Sequence, residues 1–199
     1  MSDFTAVLAV GQTLRKVLDA AISTSTDPEL PQVPTTLASP KEVRATTTTT
    51  TPASALSIWL YQVKRNPDLL NEPPRRISPD QVLAPDLPVD LYYLLTPVYK
   101  STEGEQALLG KVLQALNDNA ILRGSSLVPP LDPTTDELRV TLEAPALEDL
   151  TRVWTALEEP YQLSVSYHVQ LVRISSGREP VQSSPVLTRE LDSDQVVAA

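Results

Sequence analysis

The stretch Tyr161-Gln162-Leu163-Ser164-Val165-Ser166-Tyr167-His168-Val169-Gln170-Leu171 alternates apolar and polar residues without a break. Period-two alternation places successive side chains on opposite faces of an extended chain, so this segment reads as a strand continuing to about Ile174. Tyr161, Leu163, Val165, Tyr167, Val169 and Leu171 form its core face. Gln162, Ser164, Ser166, His168 and Gln170 form a face that is wet or meets a partner, and on that basis bulky or charged substitutions at Ser164 or Gln170 are expected to leave the fold intact.

Working back from this strand, Ala146 to Glu158 has helical spacing, with Leu147, Leu150, Val153, Trp154 and Leu157 on one stripe and Pro160 as its stop. Glu137 to Glu143 reads as a short strand with Leu138, Val140 and Leu142 inward. Glu103 to Asn117 is a helix with Leu108, Leu109, Val112, Leu113 and Leu116 on its apolar stripe, Ser101 or Thr102 as cap, and Glu103 and Glu105 complementing the first-turn dipole. Val89 to Tyr99 is partly apolar on both faces, the pattern of a central strand, and Leu56 to Arg65 is a second mostly buried strand followed by a turn at Asn66-Pro67-Asp68. Between these two strands, Pro73, Pro74, Pro79 and Pro85 lack the N–H a ladder requires, which makes residues 71–85 a loop or an edge excursion.

At the N-terminus, Phe4, Val7, Leu8, Gly11, Leu14, Leu18 and Ala21 recur at three- and four-residue steps over Asp3 to Ile22, one stripe of a helix facing a sheet. Residues 23–55 are rich in Pro, Ser and Thr and hold six consecutive threonines, Thr46 to Thr51, a solvated connector with a short strand near Gln32 to Leu37. The predicted architecture is an α/β (α+β) domain over residues 1–174, a mixed or antiparallel sheet of about four to five strands packed by about three helices. Residues 175–199 are predicted to be a flexible or partner-docked tail.

Composition excludes much. A chain of 199 residues with 41% hydrophobic and 21% charged residues buries one core without a metal or disulfide, and 19 Pro against 5 Gly imply stiff connections. With no cysteine, thiolate chemistry and cysteine-bearing zinc motifs are out. A net charge of −9 with no basic cluster disfavours phosphate backbones and anionic membranes. Met1 to Ile22 lacks the pattern of a secretory signal, and no segment reaches membrane-spanning length, which points to a cytoplasmic protein.

Catalytic constellations are missing as well. His168, the single histidine, shares a strand face with Ser164 and Ser166, but neighbours on one strand offer no nucleophile elbow or oxyanion hole, so a surface or interface histidine is expected. Scattered glycines write neither a P-loop nor a dinucleotide fingerprint. Asp86 with Asp90, and Glu158 with Glu159, read as solvated acidic surface and not as acid–base or cation pairs. The aromatics fall inside predicted elements and are assigned to the core. No catalytic, metal or cofactor residue is predicted; the alternative, a small-molecule site on Asp90, Tyr92 and His168, requires a pocket of convergent polar groups.

The order of elements, with Leu60-Tyr61-Gln62-Val63, Asn66, Leu69-Leu70-Asn71, Leu87-Pro88-Val89-Asp90-Leu91-Tyr92-Tyr93-Leu94-Leu95, Leu108-Leu109-Gly110 through Leu116, Leu150 with Trp154, Pro160-Tyr161 and Leu163 to Tyr167, resembles a known family. It is similar to the cap, or tail-terminator, proteins of extracellular contractile injection systems, whose N-terminal domain was first catalogued as a domain of unknown function. The resemblance spans most of Val7 to Ile174 and does not extend to the threonine run or the tail. It implies a non-enzymatic subunit, six copies of which ring the distal end of the inner tube and sheath, stop polymerisation and join sheath to tube. Its implied partners are itself, the tube protein and the sheath protein, with assembly in the cytoplasm and release with the particle. An adaptor at another position, such as tube to baseplate, is the alternative within the same machine.

Overall fold

A computed structural model describes residues 4–46, 54–69 and 71–182. Its centre is β5 (Leu87–Val98), which pairs antiparallel with β2 (Ala55–Arg65) on one side and β8 (Val165–Ile174) on the other. β7 (Glu137–Glu143) pairs with β8, β6 (Ile121–Arg123) with β7, and β1 (Thr35–Thr36) runs parallel to β2, giving a mixed six-stranded sheet in the order β1-β2-β5-β8-β7-β6. A separate sheet of β3 (Arg75–Ser78), β4 (Gln81–Leu83) and β9 (Val181–Gln182) stands beside it. The α+β class holds, and the described residues form more strands than the four to five predicted and four α-helices instead of three.

One face of the large sheet carries Leu56, Ile58, Leu91, Tyr93, Leu95, Tyr167 and Val169 and is covered by α1 (Ala6–Ser23) and α3 (Thr102–Asp118). Tyr93 lies opposite Leu60 on β2 and Tyr167 on β8, and its burial pushes the phenol pKa up. On the other face α4 (Leu147–Ala156) sets Trp154 against Leu94. The sheet is thus a middle layer, and β5 is buried on both sides because both of its faces are apolar.

The α1 stripe is rotated from the predicted one. Ala6, Ala9, Val10, Leu14, Leu18 and Ile22 are buried, whereas Phe4 and Leu8 are exposed. Thr13 joins the buried side because its hydroxyl is satisfied twice: Oγ1 donates to the Ala9 carbonyl at 2.8 Å and accepts the Val128 N–H at 3.1 Å. At the start of α3, Gly104 sits under the Tyr99 ring, where an added Cβ would fall 2.4 Å from Cδ1.

Within residues 23–55 the short strand expected near Gln32 to Leu37 is present as β1, and a helix that was not expected follows it. β1 is held to α1 by Thr35, whose hydroxyl donates to Asp19 Oδ1 at 2.7 Å. α2 (Pro40–Ala45) follows, with Ser39 as N-cap, Pro40 in the first turn and a reciprocal bond to Glu42, a capping box legible as Ser-Pro-Lys-Glu. Residues 47–51 of the threonine run lie outside the described residues. The proline-rich 71–85 segment holds the β3–β4 hairpin, which the prolines flank, and β9 joins it from the predicted tail; residues 183–199 lie outside the described residues.

Three further expectations are corrected. The last strand begins at Val165, leaving Tyr161 and Leu163 exposed before it, with Tyr161 edge-on to Trp154. Leu142 and Leu147 are exposed because β7 and α4 reach the rim of the sheet there. The Ser164–His168 face is not wet: Ser164, Ser166 and His168 are all buried, which removes the ground for expecting a bulky substitution at Ser164 to be harmless, while Gln170 is half-buried.

Trp154 is 1% exposed. Trp154→Ala should therefore cost about 3–5 kcal/mol in denaturant unfolding, the range for deleting a large buried aromatic; a near-neutral midpoint would contradict the packing. Ser39→Ala should cost about 0.5–2 kcal/mol. The Ser39 backbone N–H, then its hydroxyl, hold the Glu42 carboxyl below its ordinary pKa. A depressed folded pKa gives stability that is present above the unfolded carboxyl value and lost as pH falls through the folded one. The wild-type advantage over Ser39→Ala should accordingly shrink on acidification, and parallel pH–stability profiles would refute it.

Candidate functional site

On the α4 face, the register sets Tyr92 between Gln62 of β2 and His168 of β8, with Thr141 of β7 beyond. Neighbouring rows align Lys64 with Asp90, and Leu94 with Ser166 and Glu143. Alternation turns Asp90, Tyr92 and Leu94 away from the α1–α3 core, and a register shift at Tyr61, between Leu60 and Gln62, brings that ring onto the same side.

The polar groups so gathered bind one another. The His168 ring stacks on Tyr92 with centroids 4.5 Å apart and planes 3° apart. Asp90 Oδ2 lies 3.3 Å from Nε2, outside hydrogen-bond alignment, and Glu143 Oε1 lies 3.3 Å from Nδ1. Asn66, at the end of β2, donates from Nδ2 to Asp90 Oδ1 at 2.9 Å, while its own Oδ1 accepts the Asp68 and Leu69 N–H groups and closes the turn. The network therefore runs across the four central strands, β2, β5, β8 and β7. Desolvation, reinforced by the Asp90 and Glu143 carboxylates, raises the Tyr92 pKa.

Above it opens a groove of about 510 Å³ between the sheet and α4, lined by Tyr61, Tyr92, Glu143, Pro145, Asp149 and Leu150 among others. Tyr61 and Tyr92 meet edge to face at 6.4 Å, and the Lys64 ammonium sits 4.7 Å above the Tyr92 ring, a cation–π contact. The groove thus combines two phenol rings with carboxylates, a surface suited to a cationic side chain.

Asp90, Tyr92 and His168, the residues of the small-molecule alternative, do come together, but Asp90 is turned to the Asn66 amide and the His168 ring, and Tyr92 meets His168 by ring stacking. His168 is a buried network member and not the surface histidine expected, because Tyr92 stacks on its ring and Asp90 and Glu143 flank its two nitrogens. The serine–histidine pairing is absent in geometry: the Ser166 hydroxyl pairs with Tyr61 OH at 3.0 Å and that of Ser164 donates to the Gln162 carbonyl. Asp90 and Glu143 address opposite nitrogens of one ring, so they do not converge on an ion, and no group of three or more His, Asp or Glu side chains among the described residues is placed to hold a metal. Asp86 lies apart in a shallow site with Arg173, and Glu158 is engaged by Lys41 at 2.6 Å. Sequence reasoning missed Glu143 and Tyr61 as members; the only local signal was Asn66 at a turn, since cross-strand register joins the rest.

Asn66→Ala removes the donor that satisfies a buried carboxylate and the acceptor that closes the turn. It should cost about 1–3 kcal/mol, read by chemical denaturation, and a loss under 0.5 kcal/mol, the scatter of ordinary surface changes of about that size, would show that the network is not structural.

Two solved structures share the fold. The sheath/tube terminator of the PVC extracellular contractile injection system, in its extended state, matches with a TM-score of 0.59 and 20% identity over 94% of this chain and 64% of that one. The tube-terminating cap of the anti-feeding prophage matches with a TM-score of 0.60 and 19% identity over 92% of this chain and 60% of that one. The chain thus spans less than two thirds of the length of these structures. No curated protein matches. Among the described residues no helix is long and apolar enough to cross a membrane. The model of the Pvc16 N-terminal domain matches residues 9–188, nearly the whole of the described chain, and the protein belongs to that family.

Proposed function

We propose that this chain is a structural cap subunit of a contractile injection system. Six copies form a ring at the distal end of the inner tube and sheath, end their polymerisation and join one to the other. The observation that carries this reading is the match of almost the entire chain to two proteins described as terminators of such particles. A subunit that closes a heterologous interface into a ring presents no free end on which another layer adds, which is how such a ring stops growth. The acidic balance favours protein partners over nucleic acid. On the α4 face, the side chains of the small-molecule alternative are engaged with one another across the strands, in keeping with a non-enzymatic role; assembly takes place in the cytoplasm before the particle acts.

Negative-stain electron microscopy of particles from cells with and without the gene tests this. Loss of the gene should give missing particles, uncapped ends or tubes of uncontrolled length. Normal, capped particles of normal length would reject the cap reading, and a defect confined to the baseplate end would favour the adaptor instead.

A further inference from the structure

The β3–β4–β9 sheet is a physical anomaly. It has three very short strands, and none of their residues is buried. A sheet of this size gains little stability without a covered apolar face, yet Ile77 and Val181 are 46% and 67% exposed. One of its faces has a definite chemistry. Arg76 lies opposite Val82, and Val82 opposite Val181, so a guanidinium and two aliphatic side chains form one cross-strand row. The Arg76 fork is oriented by a bond from Nη1 to the Pro79 carbonyl at 2.7 Å.

The groove on the α4 face has the complementary chemistry. Its carboxylates are Glu143, anchored at His168, and Asp149, in the first turn of α4; its rings are Tyr61 and Tyr92, and its apolar wall is Leu150 and Val153. The His168 ring and the Lys64 ammonium, itself part of the lining, already take the faces of Tyr92, so the ring left for a second cation is Tyr61. The partner now on Asp149 is Arg152, at 3.3 Å in an exposed i,i+3 pair, a contact weak enough to exchange. Arginine over an aromatic face and against a carboxylate is among the more favourable polar contacts at protein interfaces.

We propose that the β-arm of one subunit docks on the neighbouring subunit, with Arg76 entering the Tyr61–Glu143–Asp149 groove and Val82 and Val181 packing on the Leu150–Val153 wall. Arm and groove are different surfaces, so the contact is heterologous and propagates around a ring. The inference rests on the cap reading and names the contact that closes the ring.

The chain has no cysteine, so introduced pairs report without background from itself. Particles carrying the double variant Arg76→Cys/Asp149→Cys are oxidised and this chain is followed by immunoblot on non-reducing gels, beside each single variant and an Arg76→Cys/Glu143→Cys pair. Both sites lie at the surface or groove rim, and circular dichroism of the purified variants checks that they fold. The expected result is a ladder of covalent multiples in the double variants, collapsing to monomer on reduction, with single variants monomeric throughout. Capped particles whose double variants give only monomer would overturn the arm–groove contact and leave the cap reading standing. Normal capped particles that do not contain this chain would overturn the cap reading and the contact with it.

Discussion

Everything in this molecule hangs on the requirement that β5 bury both of its faces. Leu91, Tyr93 and Leu95 on one side and Leu94 on the other are fully or nearly fully buried. An apolar strand of this kind is stable only with strands on both edges and a helical layer over each face. β2 and β8 supply the edges, α1 and α3 cover one face, and α4 with Trp154 covers the other. At about 25 cal/mol per Å² of apolar surface withdrawn from water, this sandwich is the dominant favourable term.

The second layer is incomplete, and that incompleteness makes the surface of interest. α4 covers Leu94 and Ser166 but leaves Tyr92, Lys64 and Glu143 along an open groove. Strand positions there must be polar enough to tolerate water yet are partly desolvated, so their side chains meet laterally: Asn66 bonds Asp90, and Asp90 and Glu143 flank the His168 ring, whose Nε2 lies outside hydrogen-bond alignment. A network of this kind links four strands without apolar contact and holds the carboxylates and rings of the groove in fixed positions. The arm on the other sheet carries the opposite chemistry, and none of its strand residues is buried by the described residues. A subunit built this way is better suited to assembly than to turnover.

Much of the fold was legible from periodicity. The alternation around Tyr167, the helical stripe from Leu108 to Leu116, the two-faced apolar run after Val89 and the buried Trp154 were each readable because they are long and strongly patterned. The short elements were not. β6 and the β3–β4 hairpin have three or four residues in each strand, too few for a period to show, and α2 was obscured by the Pro- and Thr-rich composition around its capping box. The polar face of β8 was misjudged for a different reason: serine and histidine at alternate positions look the same whether water or a third layer covers them.

What the amino-acid sequence by itself determined was the class of the protein: an acidic, cysteine-free α+β domain with two-faced and one-faced strands, no motif for metal or nucleotide, and enough ordered partial matches to resemble the cap family. What only the tertiary structure decided was which distant side chains meet. Register brings Asp90, Tyr92, Glu143 and His168 together across three strands, a bulge adds Tyr61, and α4 hides one end of the group while leaving the other open. Local propensity is written along the chain and can be read there; pairing and burial depend on which strand lies beside which, and that is settled only when the whole core packs.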